Sequence, residues 1–240
     1  MPRFFTRDIQ DGLAVITGED AQNIARSLRM KVGEQITVCD GNGMDYSGIL
    51  TLVTPQRAEA QVEEGKASRG EPACKITLYQ ALPKGDKMEW IIQKAVELGV
   101  TAIVPVLTRR CVSRPDPKSF QKKLIRYQKI SEEAAKQSGR GIIPLIGELM
   151  EFPEALKRMS QAEGKVLFYE QSGAPLKELI APPIREFAVM VGSEGGFDPQ
   201  EADQAQKMGV PNATLGPRIL RCETAPLAAL AVILFEQGDM

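Results

Sequence analysis

The chain has 240 residues, long enough for one large domain or two modest ones, each with a core above the marginal size limit. Lys and Arg total 30 against 31 Asp and Glu, so the net charge of -1 announces no polyanionic partner and confines any such surface to a local patch. Cys39, Cys74, Cys111 and Cys222 stand far apart and histidine is absent, which predicts reduced thiols and excludes a Cys/His zinc site.

No apolar run approaches the ~20 residues that a membrane span needs. The start, Met1-Pro2-Arg3-Phe4-Phe5, is not a charged-then-apolar leader. A cytoplasmic protein without metal or membrane is expected.

Residues 3–62 alternate short apolar stretches with turn signals at Asp11-Gly12, Asp40-Gly41-Asn42-Gly43 and Ser47-Gly48. Strands are expected over 14–17, 35–39 and 47–53, with one short helix over 19–28, a set that suits a small β-barrel. Residues 63–72 are polar, contain Gly65, Gly70 and Pro72, and lack apolar periodicity, as expected of a linker. The boundary falls there, giving a first domain over 1–70 and a second over 73–240.

Beyond the linker, strands and helices alternate. Strands are expected over 75–82, 102–107, 142–146, 165–169, 187–191 and 212–215. Helices are expected over 86–98, with Asp86 as N-cap and Gly99 as stop, then 117–138, 153–160, 199–208 and 225–236. Near-continuous apolar strands alternating with helices predict an α/β domain with a mostly parallel sheet covered on both faces.

The loop Gly192-Ser193-Glu194-Gly195-Gly196-Phe197 follows the apolar strand that ends at Val191, and ligands of such sheets gather at the C-terminal ends of strands. Its glycines read either as a tight connection or as a cradle where backbone groups approach a ligand. No Walker-type lysine follows, no G-x-G-x-x-G follows the first strand of the second domain, and Glu194 would repel phosphate, so a neutral or cationic ligand is favoured over ATP or NAD.

A second loop, Leu215-Gly216-Pro217-Arg218-Ile219-Leu220-Arg221-Cys222-Glu223-Thr224-Ala225-Pro226, leads into the apolar last helix. Thr224 reads as a helix N-cap or as a ligand contact. Arg221 reads as the partner of Glu223 or Glu194, or as a group for an oxygen-rich anionic substrate.

Read together, these motifs resemble the bacterial RNA methyltransferase family that methylates N3 of a uridine in 16S ribosomal RNA, within the SPOUT superfamily. The likeness covers residues 1–5, Leu82-Pro-Lys-Gly-Asp-Lys-Met-Glu89, Lys94 to Val100, Gln137-Ser-Gly-Arg140 with Pro144, and both loops. It implies a SPOUT-type α/β domain with a C-terminal trefoil knot, a PUA-like N-terminal β-barrel that binds RNA, a homodimer, and S-adenosylmethionine as cofactor. The partner is then 16S ribosomal RNA or the small ribosomal subunit.

Carried onto this chain, the resemblance assigns the cofactor to Gly192, Glu194, Gly195, Gly196, Leu215, Gly216, Ile219, Leu220, Thr224 and Ala225. Arg221 becomes the candidate for stabilising charge on the uracil carbonyls as N3 loses its proton, and Glu223 the candidate for orienting it or, second, for acting as base. Arg3, Arg26, Arg29, Arg109, Arg110, Arg114 and Arg140 are candidate phosphate contacts, each also readable as a solvated surface charge, as is the basic face of the helix over 117–138. Cys222 and Cys111 stand where the family carries Thr and often Ser. Two other readings stay open: a superfamily member acting on a different RNA, and a non-catalytic RNA-binding assembly protein.

Overall fold

The computed structural model describes residues 1–180 and 183–240. The chain divides into two compact units, residues 1–71 with 135–143, and residues 72–134 with 144–240. Each is described by itself.

The first unit contains β1 (Arg3–Phe5), β2 (Ile9–Gln10), β3 (Leu13–Thr17), β4 (Gln35–Cys39), β5 (Met44–Val53), β6 (Arg57–Val62) and β7 (Lys66–Ala67). They form one mixed sheet in the order β1-β4-β5-β6-β3-β2, with β7 on β5. Only the β1/β4 pair in it is parallel. Phe4, Ile16, Ile24, Ile36, Val38 and Leu50 fill its core. A register shift between Leu50 and Leu52 adds twist to the longest strand.

The single helix expected over 19–28 is instead α1 (Gly18–Gln22) running into a π-helical turn, Asn23–Ser27. Leu28 N–H bonds to the Asn23 carbonyl five residues back, and Arg29 at φ 52° ends the turn. Ile24 is thereby turned into the core.

Two expected phosphate contacts have structural work in this unit. Arg140 is 2% exposed, and Glu71 accepts from its guanidinium at 2.8 Å and from the Gly141 and Ile142 N–H groups at 2.9 and 3.0 Å. Arg3 grips Asp45 through two bonds of 2.7 and 2.9 Å and donates to the Arg140 carbonyl at 3.2 Å. The guanidinium of Arg140 is thus buried against a carboxylate, and the planar fork of Arg3 is occupied by one.

The second unit contains β8 (Lys75–Ala81), α2 (Lys87–Leu98), β9 (Ala102–Leu107), α3 (Pro117–Ser138, its last turn counted with the first unit), β10 (Leu145–Ile146), β11 (Met150–Glu151) and α4 (Phe152–Met159). It continues with β12 (Gly164–Phe168), β13 (Ala174–Pro175), β14 (Glu186–Val191), α5 (Pro199–Lys207), β15 (Asn212–Thr214) and α6 (Ala225–Glu236). The strand order is β10-β9-β8-β14-β12-β15-β13, with β11 on β9, and every pair is parallel.

Apolar runs such as Phe187-Ala-Val-Met-Val191 are buried throughout, as strands covered on both faces must be. Gly99 closes α2 at φ 116°, whereas Asp86 sits at its N-cap without a side-chain cap bond. The expected strand over 142–146 shrinks to two residues. Pro144 has no N–H to give a ladder, and its carbonyl is taken by Ser131 and Gln128. Among the described residues no helix is long and apolar enough to cross a membrane.

Candidate active site

β12 lies between β14 and β15, so the C-terminal ends of these three strands are neighbours. The chain leaves them at residues 169–170, 192–197 and 215–224. These segments surround a cavity of about 470 Å3, within the ~300–1,000 Å3 usual for small-ligand sites.

The first loop is a tight turn. Gly196 N–H bonds to the Ser193 carbonyl at 2.9 Å, Gly196 has φ 65°, and the ring of Phe197 is fully buried behind it. A Cβ on Gly192 would lie 3.1 Å from Gly196 Cα, tighter than ordinary packing, so a side chain there would push the two ends of the turn apart by a few tenths of an ångström. Gly192→Ala should therefore open the turn. Calorimetry is expected to show cofactor affinity reduced by at least roughly tenfold while far-UV circular dichroism is unchanged, the price of a one-methyl misfit being ~1–3 kcal/mol.

The second loop starts where Thr214 Oγ1 exchanges hydrogen bonds with Gly216 and Gly216 takes φ 99°. It ends where Thr224 and Ala225 both donate to the Arg221 carbonyl at 2.9 Å, and Pro226 enters the first turn of α6. Thr224 caps α6 through its backbone, with no side-chain cap bond.

Of the residues assigned to the cofactor from sequence, Gly192, Glu194, Gly195, Gly196, Leu215, Gly216, Ile219, Leu220 and Ala225 line the cavity, and Thr224 does not. Arg221 lines it as well, while Glu223 stands outside the lining. Ile219 is 83% exposed, an apolar side chain left facing an open cavity. The sequence reading missed Phe168, Tyr169 and Glu170 at the end of β12, together with Ser193, Thr214 and Arg218. No glycine marks the end of β12, and its place beside both loops follows from strand order alone.

The wall fits a cationic ligand that presents hydrogen-bonding groups. Ser193 Oγ is buried without a partner among the described residues, a donor and acceptor held in the wall. Glu170 adds a carboxylate close enough to Gly196 that a Cβ there would meet Oε1 at 2.6 Å.

Glu194 is spoken for. Burial opposes its ionisation, but hydrogen bonds from Lys87 and backbone N–H groups outweigh this and hold its carboxyl below the usual range. Glu223 is held low first by the Cys222 thiol, which donates to it at 3.1 Å, and then by Lys87. Burial, that same hydrogen bond and the nearby carboxylates push the Cys222 thiol up to about 12, so it remains a neutral donor. The partner expected for Arg221 is thus replaced, since both carboxylates turn to Lys87.

The remaining basic candidates separate. Arg26 and Arg29 are exposed in the first unit. In the second, Arg109 is exposed and reaches Asp198 at 3.4 Å, while its N–H is held by the buried Glu201 of the α5 capping box. Arg110 donates to the Gly195 carbonyl at 3.1 Å and Arg114 to the Thr108 carbonyl at 2.6 Å, so both brace loops. Cys111 packs its thiol 3.2 Å from Thr108 Oγ1, the contact a serine would make.

The RNA methyltransferase domain family matches residues 70–234, more than half of the chain, and the RNA methyltransferase PUA domain family matches residues 16–63. The chain belongs to this RNA methyltransferase family. The enzyme is 35% identical to ribosomal RNA small subunit methyltransferase E of Bacillus subtilis, over 92% of its own length and 89% of the relative's. A crystal structure of ribosomal RNA small subunit methyltransferase E from Neisseria gonorrhoeae bound to S-adenosyl methionine superposes with TM-score 0.89 at 36% identity, covering 98% of this methyltransferase and 97% of that chain. A Legionella pneumophila methyltransferase in complex with the same cofactor gives TM-score 0.87 at 30% identity, with 96% of each chain covered.

Proposed function

We propose that this enzyme methylates N3 of a uridine in the 16S ribosomal RNA of the small subunit, with S-adenosylmethionine as methyl donor. The observation that carries the reading is one cavity walled by three adjacent strand ends and both glycine-containing loops, with Arg221 in its lining. The relatives named for small-subunit ribosomal RNA, one of them solved with the cofactor, support the substrate and the donor.

The cofactor, when bound, supplies an electrophilic methyl group on a sulfonium. Gly192, Gly195 and Gly196 offer backbone groups at close approach, Ser193 Oγ a hydroxyl, and Ile219 and Leu220 apolar cover. Arg221 stabilises the charge that spreads onto the uracil carbonyl oxygens as N3 loses its proton, a gain larger in the transition state than in the ground state. Glu223 is a poor base, because a carboxyl held below its ordinary range binds a proton too weakly to take one from an imide nitrogen. It acts instead by holding its loop.

Exposed Arg26, Arg29 and Arg109, with the basic face of α3, are proposed to meet RNA phosphates; the PUA domain family match supports an RNA-facing first unit. A cytoplasmic location is proposed along with the ribosomal RNA substrate. A homodimer is proposed through α6, which is apolar nearly all round yet leaves Phe235 and Val232 67% and 40% exposed. Sedimentation should give a dimer that Phe235→Glu converts to monomer; a monomeric parent protein would refute it.

The decisive experiment incubates the protein with methyl-labelled cofactor and either small ribosomal subunits or naked RNA, then digests and identifies the nucleoside. Labelled 3-methyluridine in 16S RNA is the expected product. Label in transfer RNA would move the enzyme to another target, and cofactor binding without transfer to any RNA would leave an assembly protein.

A further inference from the structure

Lys87 opens α2, in the turn after β8, and lies 107 residues from Glu194 and 135 from Cys222 along the chain. Its ammonium nonetheless sits 2.9 Å from Glu194 Oε1 and 3.5 Å from Glu223 Oε2. Cys222 Sγ is 3.9 Å away, and the Lys84 N–H donates to Glu194 at 3.2 Å. Two carboxylates from separate pocket loops therefore converge on one cation supplied by a third segment. Without it they would be like charges sharing a site.

We propose that Lys87 is a positioning residue of the methyl-transfer site. It ties loops 192–197 and 215–224 to the turn before α2, and so fixes Arg221, two residues from Glu223, in the cavity wall. The inference rests on the methyltransferase reading of that cavity. An ammonium suits the role because its three donors swivel on a flexible stem and can serve two carboxylates that arrive from different directions. It also leaves the Lys87, Glu194 and Glu223 trio with one net negative charge beside a cavity that takes a sulfonium.

The test compares Lys87→Met, which keeps length without charge, with Lys87→Arg. In the cofactor-free protein, the side-chain carboxyl carbon titrations of Glu194 and Glu223 should move up toward the ordinary range in Lys87→Met, since the cation that favours their charged forms is gone. They should stay low in Lys87→Arg. With cofactor and RNA, Lys87→Met should lower kcat at least about tenfold with the RNA KM within roughly twofold, and Lys87→Arg should recover most of the loss. Adding Lys87→Met to Glu223→Gln should cost less than the sum of the two single losses, because both remove the Lys87–Glu223 contact while only Lys87→Met also frees Glu194.

Unchanged carboxyl titrations in Lys87→Met, an unchanged kcat, or fully additive losses in the double variant would each overturn the proposal. A parent protein that binds no cofactor would instead sink the methyltransferase reading, with the titrations still deciding the clamp.

Discussion

Replacing Arg221 by alanine should lower the methylation rate by about 10²–10³ while leaving cofactor affinity within roughly twofold, the range found when one donor aimed at developing charge is removed. The expectation follows from where the side chain stands. Arg221 is exposed, lines the cavity and has no carboxylate partner among the described residues, since Glu194 and Glu223 both pair with Lys87. Its guanidinium is therefore available to an incoming base, whereas its backbone carbonyl, which receives two N–H groups, keeps the loop in shape whatever the side chain. Single-turnover rates at saturating cofactor, set beside calorimetric affinities, check this directly. Parallel loss of cofactor binding would place Arg221 in the cofactor pocket instead, and an unchanged rate would remove it from the chemistry.

Glu71→Ala should destabilise the first unit by ~3–5 kcal/mol, the cost of deleting one partner of a buried ion pair. Against a total stability of ~5–15 kcal/mol for a domain this is a large fraction. Arg140 is too deeply buried to turn to water, and the Gly141 and Ile142 N–H groups lose the same acceptor. Apolar replacement of both partners, Glu71→Leu with Arg140→Met, should recover only part, because those two N–H groups stay unserved. The half-exposed Arg57–Glu59 pair is the control, at most about 1 kcal/mol. Urea dependence of amide exchange in β4 and β5 reads all three. Equal effects from Glu71→Ala and Arg57→Ala would refute the argument.

Local chemistry was legible in the sequence. The stop at Gly99, the 117–138 and 225–236 helices and the apolar strands of the parallel sheet follow from patterning that neighbours on the chain decide. β6 escaped notice because its inward positions are Ala58, Ala60 and Val62, and alanine signals neither strand nor core although all three are buried. Both loops of the cavity announced themselves by glycine, proline and stranded charges. Tyr169 and Glu170 did not, since only the insertion of β12 between β14 and β15 brings them there. Arg3 and Arg140 looked like surface charges because one-dimensional patterning carries no burial for an isolated arginine. Lys87 was quoted within a motif, but its partners lie too far along the chain for spacing to reveal them.

The strand order has a consequence for synthesis. β14 enters the sheet between β8 and β12, with Glu186 beside Lys75, and α6 packs on α2. Such distant pairings must close long loops before they return contact energy, so this unit is expected to fold slowly. The cavity wall, moreover, extends from Phe168 to Ala225, so no nascent fragment that stops short of α6 contains all of it. A ligand that binds only the finished wall lends its binding energy to chains that include Ala225 and to none that stop before it. Cofactor-dependent resistance to proteolysis should therefore be absent from nascent chains and arrive in a single step, once residue 225 has cleared the ribosomal exit tunnel.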